Sequence, residues 1–279
     1  MLALLDDGPR LVDPAAPVLR ADDLGVSRGE SVFETVRLSH GCPVFLDEHL
    51  QRWQTSAARL EIELPDRVRE LATFAVRHWP ESDGALRLTC SKGPPGAGPV
   101  CFAHVSAVPP AVLAQREHGV SAVTLPFGVP ASLRREAPWL LGGTKSTSYA
   151  VNMASLRAAG QLGAQEAVWV SSDGFVLEAP TSTVAWVKDG TVVTPDADEI
   201  GILRGTTVAV ALALCEGPVE QRLGTVDELR GADEVLLLSS IRGVAPVVCL
   251  DGRTLGIGPV GTALRAGFER AVLEAARGR

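Results

Sequence analysis

Residues 31–38, SVFETVRL, alternate apolar and polar positions and are rich in β-formers, a pattern that predicts a half-buried strand. His40-Gly41 follows as a turn and Pro43-Val44-Phe45 as a short return, so the segment reads as a hairpin. From Asp47, expected as a helix cap, apolar residues recur at Leu50, Trp53, Ala57 and Leu60. Spacings of three and four place them on one face of a helix. A second helix is predicted from Asp66 to about Trp79, where Pro80 ends it. ALRLTCSK (85–92) and VCFAHVSAV (100–108) predict paired strands across the loop 93–99.

Val108-Pro109-Pro110 is the expected domain boundary, because a proline pair stiffens a connector and stops the flanking elements from running through it. The expected division is a small α/β domain over 1–108, a linker over 109–118 and a larger domain over 119–279. The larger part carries short strand patterns at 120–125, 167–171, 175–179, 182–188, 191–194, 218–223, 234–239 and 243–250. Helical patterns fall at about 146–159, 205–215 and 259–277. Asp173-Gly174 and Asp189-Gly190 are hairpin signals and imply antiparallel pairing. Short strands with helices grouped outside predict an α+β class, with a pseudo-barrel as the larger domain. No Gly-x-Gly-x-x-Gly follows a strand, which argues against a nicotinamide-binding unit. No repeat of 20–50 residues is present.

Composition changes this picture little. A chain of 279 residues with 46% hydrophobic and 21% charged residues has the make-up of a soluble globular protein with an ample core. A net charge of −7 offers no electrostatic footprint for nucleic acid. No segment approaches the length of a membrane span, and the first residues, MLALLDDGPR, lack the basic start and long apolar stretch of a signal peptide. The five cysteines, Cys42, Cys90, Cys101, Cys215 and Cys249, are odd in number and scattered. They are expected to be reduced, buried thiols of a cytoplasmic protein, with neither a disulfide framework nor a metal site.

Lysine is scarce, with only Lys92, Lys145 and Lys188 in the chain, so each can be weighed separately. Lys188 precedes a turn and reads as a solvated strand end. Lys92 enters the Gly/Pro-rich loop SKGPPGAGP. Lys145 lies between Gly142-Gly143 and an apolar helical run, flanked by hydroxyls, in GGTKSTSYAVNMA (142–154). A lysine amine is a good carbonyl nucleophile only where its pKa is lowered and its position fixed. Tyr149, the only tyrosine, follows it, and LEAPTSTVAWV (177–187) brings Glu178 ahead of the hydroxyls Ser182 and Thr183. ILRGTT (202–207) opens a helix, where Thr206 and Thr207 can offer amides and hydroxyls to an anion. A pyridoxal phosphate site needs such an amine, an anion cradle and an acid facing the pyridine nitrogen.

In this order RGESVFETVR (28–37), FLDEHLQRW (45–53), KSTSYAVNMA, LEAPTSTVAWV and ILRGTT resemble the class IV aminotransferases, pyridoxal phosphate enzymes of fold type IV, over nearly the whole chain. The resemblance implies a two-domain fold, with Lys145 as the Schiff-base lysine and Arg52 and Thr207 as phosphate contacts. It places Tyr149 beside the ring hydroxyl and Glu178 opposite the pyridine nitrogen. Ser182, Thr183, Leu203, Thr206 and Ser240 are the further cofactor contacts it implies. It also implies a small-molecule substrate and a homodimer.

Three activities share this scaffold: 4-amino-4-deoxychorismate lyase, D-amino-acid aminotransferase and branched-chain aminotransferase. The chain is most similar to the actinobacterial lyase-like group. Phe33-Glu34-Thr35 has threonine where branched-chain enzymes carry glycine, so Thr35 is the expected hydroxyl on the substrate side. The loop KGPPGAGPV lacks the Arg-x-His carboxylate trap of the D-amino-acid enzymes. Phe33, Arg28, Arg87 and Arg242 are the candidate substrate contacts. A cofactor-binding homologue without turnover is a third reading. Plain structural roles are open to the same residues: Arg52 as a surface partner of Glu48, Tyr149 as core, Glu178 as a solvated carboxylate, and Thr206 and Thr207 as helix caps. His49 is expected to be structural, and Arg87 to be solvated if the sheet face it lies on is exposed.

Overall fold

The computed structural model describes Met1–Arg277; residues 278 and 279, the end of the expected second domain, lie outside it. The chain divides into two compact units. One comprises Met1–Val108, Thr144–Tyr149 and the chain from Val272, and the other Pro109–Gly143 and Ala150–Ala271.

The first unit is built from β1 (Leu2–Leu5), β2 (Pro9–Val12), α1 (Leu24–Ser27), β3 (Ser31–Ser39), β4 (Cys42–Pro43), α2 (Leu46–Arg59), α3 (Val68–Arg77), β5 (Gly84–Ser91) and β6 (Val100–Ser106). Its six-stranded sheet has the order β2-β1-β6-β5-β3-β4, antiparallel throughout. Side chains alternate across the sheet. One face carries Val32, Val36, Leu86, Leu88, Ala103 and Val105, which form a core with Trp53, Ala57, Leu71 and Ala75 of α2 and α3. The other face carries Phe33, Thr35, Arg87 and His104; Arg87 lies opposite Thr35 on β3 and His104 on β6. The same alternation that builds the core therefore lines up the polar candidates.

Two local expectations need correction. Helix α2 starts at Leu46 after Phe45, which adopts a left-handed conformation (φ 54°) and makes no side-chain cap bond. Asp47 lies inside the first turn and pairs with Arg69 at 2.6 Å, so it is not the cap. Cys90 and Cys101 are joined by a disulfide, while Cys42, Cys215 and Cys249 are free. Cys90 and Cys101 are direct cross-strand partners in the β5–β6 hairpin. Their pairing depends on that register, which the spacing of cysteines does not show.

The second unit contains α4 (Pro110–His118), β7 (Val120–Pro126), α5 (Leu133–Glu136), α6 (Ala150–Gln161), β8 (Glu166–Val170), β9 (Thr183–Lys188), β10 (Thr191–Thr194), α7 (Ala197–Ile200), α8 (Thr206–Ala213), β11 (Val219–Gln221), α9 (Val226–Arg230), β12 (Glu234–Ser239), β13 (Gly243–Leu250) and β14 (Arg253–Thr254), and α10 (Pro259–Arg277) starts in it. The stretch expected as a linker is thus mostly helix α4, with Pro110 at its first turn, where the missing N–H costs nothing. The sheet order is β11-β10-β9-β12-β13-β7-β8, with β14 beside β13. Asp189 and Gly190 both have positive φ (49° and 77°), as a tight two-residue hairpin requires. Residues 175–179 do not form the expected strand. Val176 instead bridges Val170 at the end of β8, and Phe175 bridges Thr225 just beyond β11. Backbone bonding thereby continues from one end of the sheet toward the other, which curls it.

Candidate active site

Lys145 is held by its backbone. Its N–H donates to Ser56 Oγ at 3.1 Å, and its carbonyl accepts from Phe33 N–H at 3.0 Å. Ser146 bridges Val32, and Thr147 N–H donates to Ser31 O at 2.9 Å. The segment thus adds to the margin of β3, which fixes the main chain at the lysine. Lys92 and Lys188 are engaged elsewhere, with Glu30 at 2.6 Å and Asp233 at 3.6 Å.

Phe33 organises the same region. Lys145 Nζ lies 4.3 Å from its ring centroid and Arg87 Cζ 3.9 Å, both within cation–π range. The Tyr149 ring meets it edge-on with centroids 5.3 Å apart. Burial pushes the pKa of Arg87 down, and Tyr149 opposes that shift. Among the described residues no carboxylate pairs with Arg87. Arg28 is exposed at the end of α1.

Arg52 does not pair with Glu48. Its Nε and Nη2 grip the two oxygens of Glu34, each at 2.7 Å, and His49 Nδ1 bonds Glu34 Oε2 at 2.7 Å. Glu34 is fully buried. Burial alone would raise its pKa, but the charge and hydrogen bonds of Arg52, with those of His49, outweigh it and hold the value at about 2. His49, expected to be structural, thus bonds a buried acid that the sequence pattern does not single out.

In the second unit, Glu178 is not a solvated carboxylate. Its Oε1 accepts from Arg134 at 2.8 Å and its Oε2 from Leu203 N–H at 3.3 Å. The sequence does not single out Arg134, which is one arginine of a pair in a loop-like stretch. Its position is fixed by close packing: a Cβ on Gly142 or Gly201 would run into the Arg134 backbone. Helix α8 starts at Thr206 with Gly205 as its N-cap and no side-chain cap bond. Thr206 and Thr207 are thus not the caps, and the first-turn amides have no intrahelical acceptors. A Cβ on Gly205 would lie 2.4 Å from Thr183 Oγ1, so only glycine lets this helix end approach the buried Thr183. Ser182 is also buried, and Ser240 sits in the turn after β12. Arg242 is the counter-ion of the fully buried Glu166 at 3.0 Å, and it also donates to Gln115 and Ser182. Those contacts give it a structural place.

The class IV amino-transferase family matches residues 31–249. A bifunctional aminodeoxychorismate lyase / D-amino acid transaminase of Mycobacterium tuberculosis is 38% identical over 276 residues, 93% of this chain and 94% of that protein. A D-alanine aminotransferase of Bacillus licheniformis is 30% identical over 272 residues, 90% of each. The solved structure of a hypothetical aminotransferase from Mycobacterium tuberculosis, in its PLP-bound form, aligns with a TM-score of 0.93 at 37% identity, covering 98% of this chain and 99% of that one. Agreement over nearly the full length places the fold with the type IV pyridoxal phosphate enzymes. The chain belongs to the class IV aminotransferases, and its cofactor is pyridoxal 5'-phosphate. Each unit by itself offers groups that fit part of that cofactor: the first an amine on a fixed main chain, the second an acid braced by a cation and a helix N-terminus without a side-chain cap, which suits a phosphate. Among the described residues no helix is long and apolar enough to cross a membrane, and no cluster of His, Cys, Asp and Glu forms a metal site.

Proposed function

We propose that the chain is a 4-amino-4-deoxychorismate lyase that releases pyruvate and leaves p-aminobenzoate. The observation that carries this reading is Arg87, a cation on the Phe33 ring with no carboxylate partner among the described residues, directly across from Thr35. A dicarboxylate substrate needs cations, and Arg87 with Arg28 supplies them. The 38% identity to a protein named for this lyase activity supports the same reading.

Bound pyridoxal phosphate supplies an electron sink for the carbon that carries the substrate amine. Lys145 acts as general base and takes the proton from that ring carbon. A proton is returned to the enol-ether side chain, the ring carbon–oxygen bond breaks with its electron pair on oxygen, and pyruvate leaves as the ring becomes aromatic. No water or oxo acid is consumed. With the cofactor bound, Glu178 would pair with the pyridine nitrogen and keep it protonated, Arg52, Thr206, Thr207 and Ser240 would hold the phosphate, and Tyr149 would bond the ring hydroxyl. Ser182, Thr183 and Leu203 support that set. Thr35 presents its hydroxyl on the substrate side. The working form is a homodimer. Trp139, Leu140, Val151 and Met153 are each exposed, Trp139 at 77%, and large apolar side chains of this kind are ones that a subunit interface would cover.

Aminodeoxychorismate alone should yield p-aminobenzoate and pyruvate in equal amounts. Turnover only with D-alanine and 2-oxoglutarate would replace this reading with D-amino-acid transamination. That second reading is favoured by the double name of the 38% identical relative, and both activities in one protein would be its fullest form.

A further inference from the structure

Glu34 is a buried acid for which the proposed reaction has no use. It sits on β3 between Phe33 and Thr35 but points to the opposite face, toward α2. An acid beside a phosphate-binding cation weakens that cation's net attraction for phosphate, so its presence calls for a compensating role. Its geometry supplies one. The carboxylate grips Arg52 through two parallel bonds to Nε and Nη2, a fork that fixes the plane of the guanidinium. Two of its five N–H donors are used in this way. The fork is itself anchored, since His49 Nδ1 and Thr35 N–H both bond Glu34 Oε2, at 2.7 and 3.3 Å. His49 and Arg52 lie three residues apart on α2 and so share one side of the helix.

We infer that Glu34, seated by His49, is a positioning residue that orients the Arg52 guanidinium toward the cofactor phosphate. This rests on the reading of Arg52 as a phosphate contact. Glu34 stays charged at any working pH, because Arg52 and His49 outweigh the effect of burial and hold its pKa at about 2. The carboxylate therefore never releases the fork by protonation. A plain counter-ion would protect the fold only, whereas a positioning residue also sets how well the phosphate is bound.

The two roles separate in the ratio of affinities for pyridoxal 5'-phosphate and for pyridoxal, which lacks the phosphate. Both are titrated by absorbance into the full chain stripped of cofactor. Glu34→Gln should weaken pyridoxal phosphate about tenfold or more, the scale of one lost charged hydrogen bond, and leave pyridoxal within about twofold. His49→Asn, which loses one anchor and keeps the fork, should show a smaller loss of the same kind, and it serves as the test if Glu34→Gln does not fold. Arg52→Ala tests the underlying reading. If Arg52→Ala leaves the ratio unchanged, the phosphate role of Arg52 is wrong. If Arg52→Ala collapses the ratio but Glu34→Gln, or His49→Asn in its place, weakens both ligands equally or neither, the positioning role is wrong.

Discussion

A lysine that forms an imine needs a fixed position as well as a lowered pKa, and the main chain of Lys145 is fixed by Ser56 and Phe33. Lys145→Ala should abolish turnover, and borohydride reduction should no longer attach cofactor to the protein. Peptide mapping of the reduced wild type decides the assignment, since label on Lys92 or Lys188 would move the site. A second residue-scale prediction concerns acid. Glu34 has a pKa depressed from 4.5 to about 2 in the folded protein. Its stabilising contribution is therefore fully present above about pH 4.5 and lost as pH falls toward 2. Glu34→Gln should lower stability at neutral pH, because Arg52 and His49 lose a charged partner, and should flatten the loss between those pH values. Urea melts at several pH values would show an unchanged slope if the carboxylate were not ionised. Lys145 was legible as a candidate because lysine is so rare here. Arg134 and the role of Glu34 were not, because their partners lie 44 and 18 residues away and only folding makes them neighbours.

Elements with a strong period were the easiest to read. The three-and-four spacing around Trp53 predicts α2, and the helix is there because that stripe closes the core over β3. Trp53 is fully buried, so Trp53→Ala should cost about 3–5 kcal/mol of stability by urea denaturation. A loss under about 1 kcal/mol, the level of a surface change, would mean that α2 is not seated on the sheet. The start of the same helix is not legible in the sequence, because Asp47 is a good cap by type but Phe45 turns the chain first. Strands β1 and β2 leave no clear pattern in the sequence. The four-residue β1 is too short to show a period, and its place is set by pairing with β6. The Cys90–Cys101 bond is hidden from the sequence for the same reason, since register belongs to the sheet and not to the local sequence.

For the whole molecule, the α+β class, the family and the cofactor were visible because five motifs stand in family order, which random resemblance does not produce. The proposed homodimer should appear as a single species of about twice 29.3 kDa in sedimentation at micromolar concentration. A monomer with full activity would remove the assembly from the proposal. The division of the chain carries one more consequence. Thr144–Tyr149 belongs to the first unit, while the chain on both sides of it belongs to the second. A gene cut after Val108 would therefore leave behind the segment that borders β3 at Val32, along with Lys145. Neither product would be a self-sufficient module, so recombination between homologues would have to exchange β3 and residues 144–149 together, however far apart they stand in the gene.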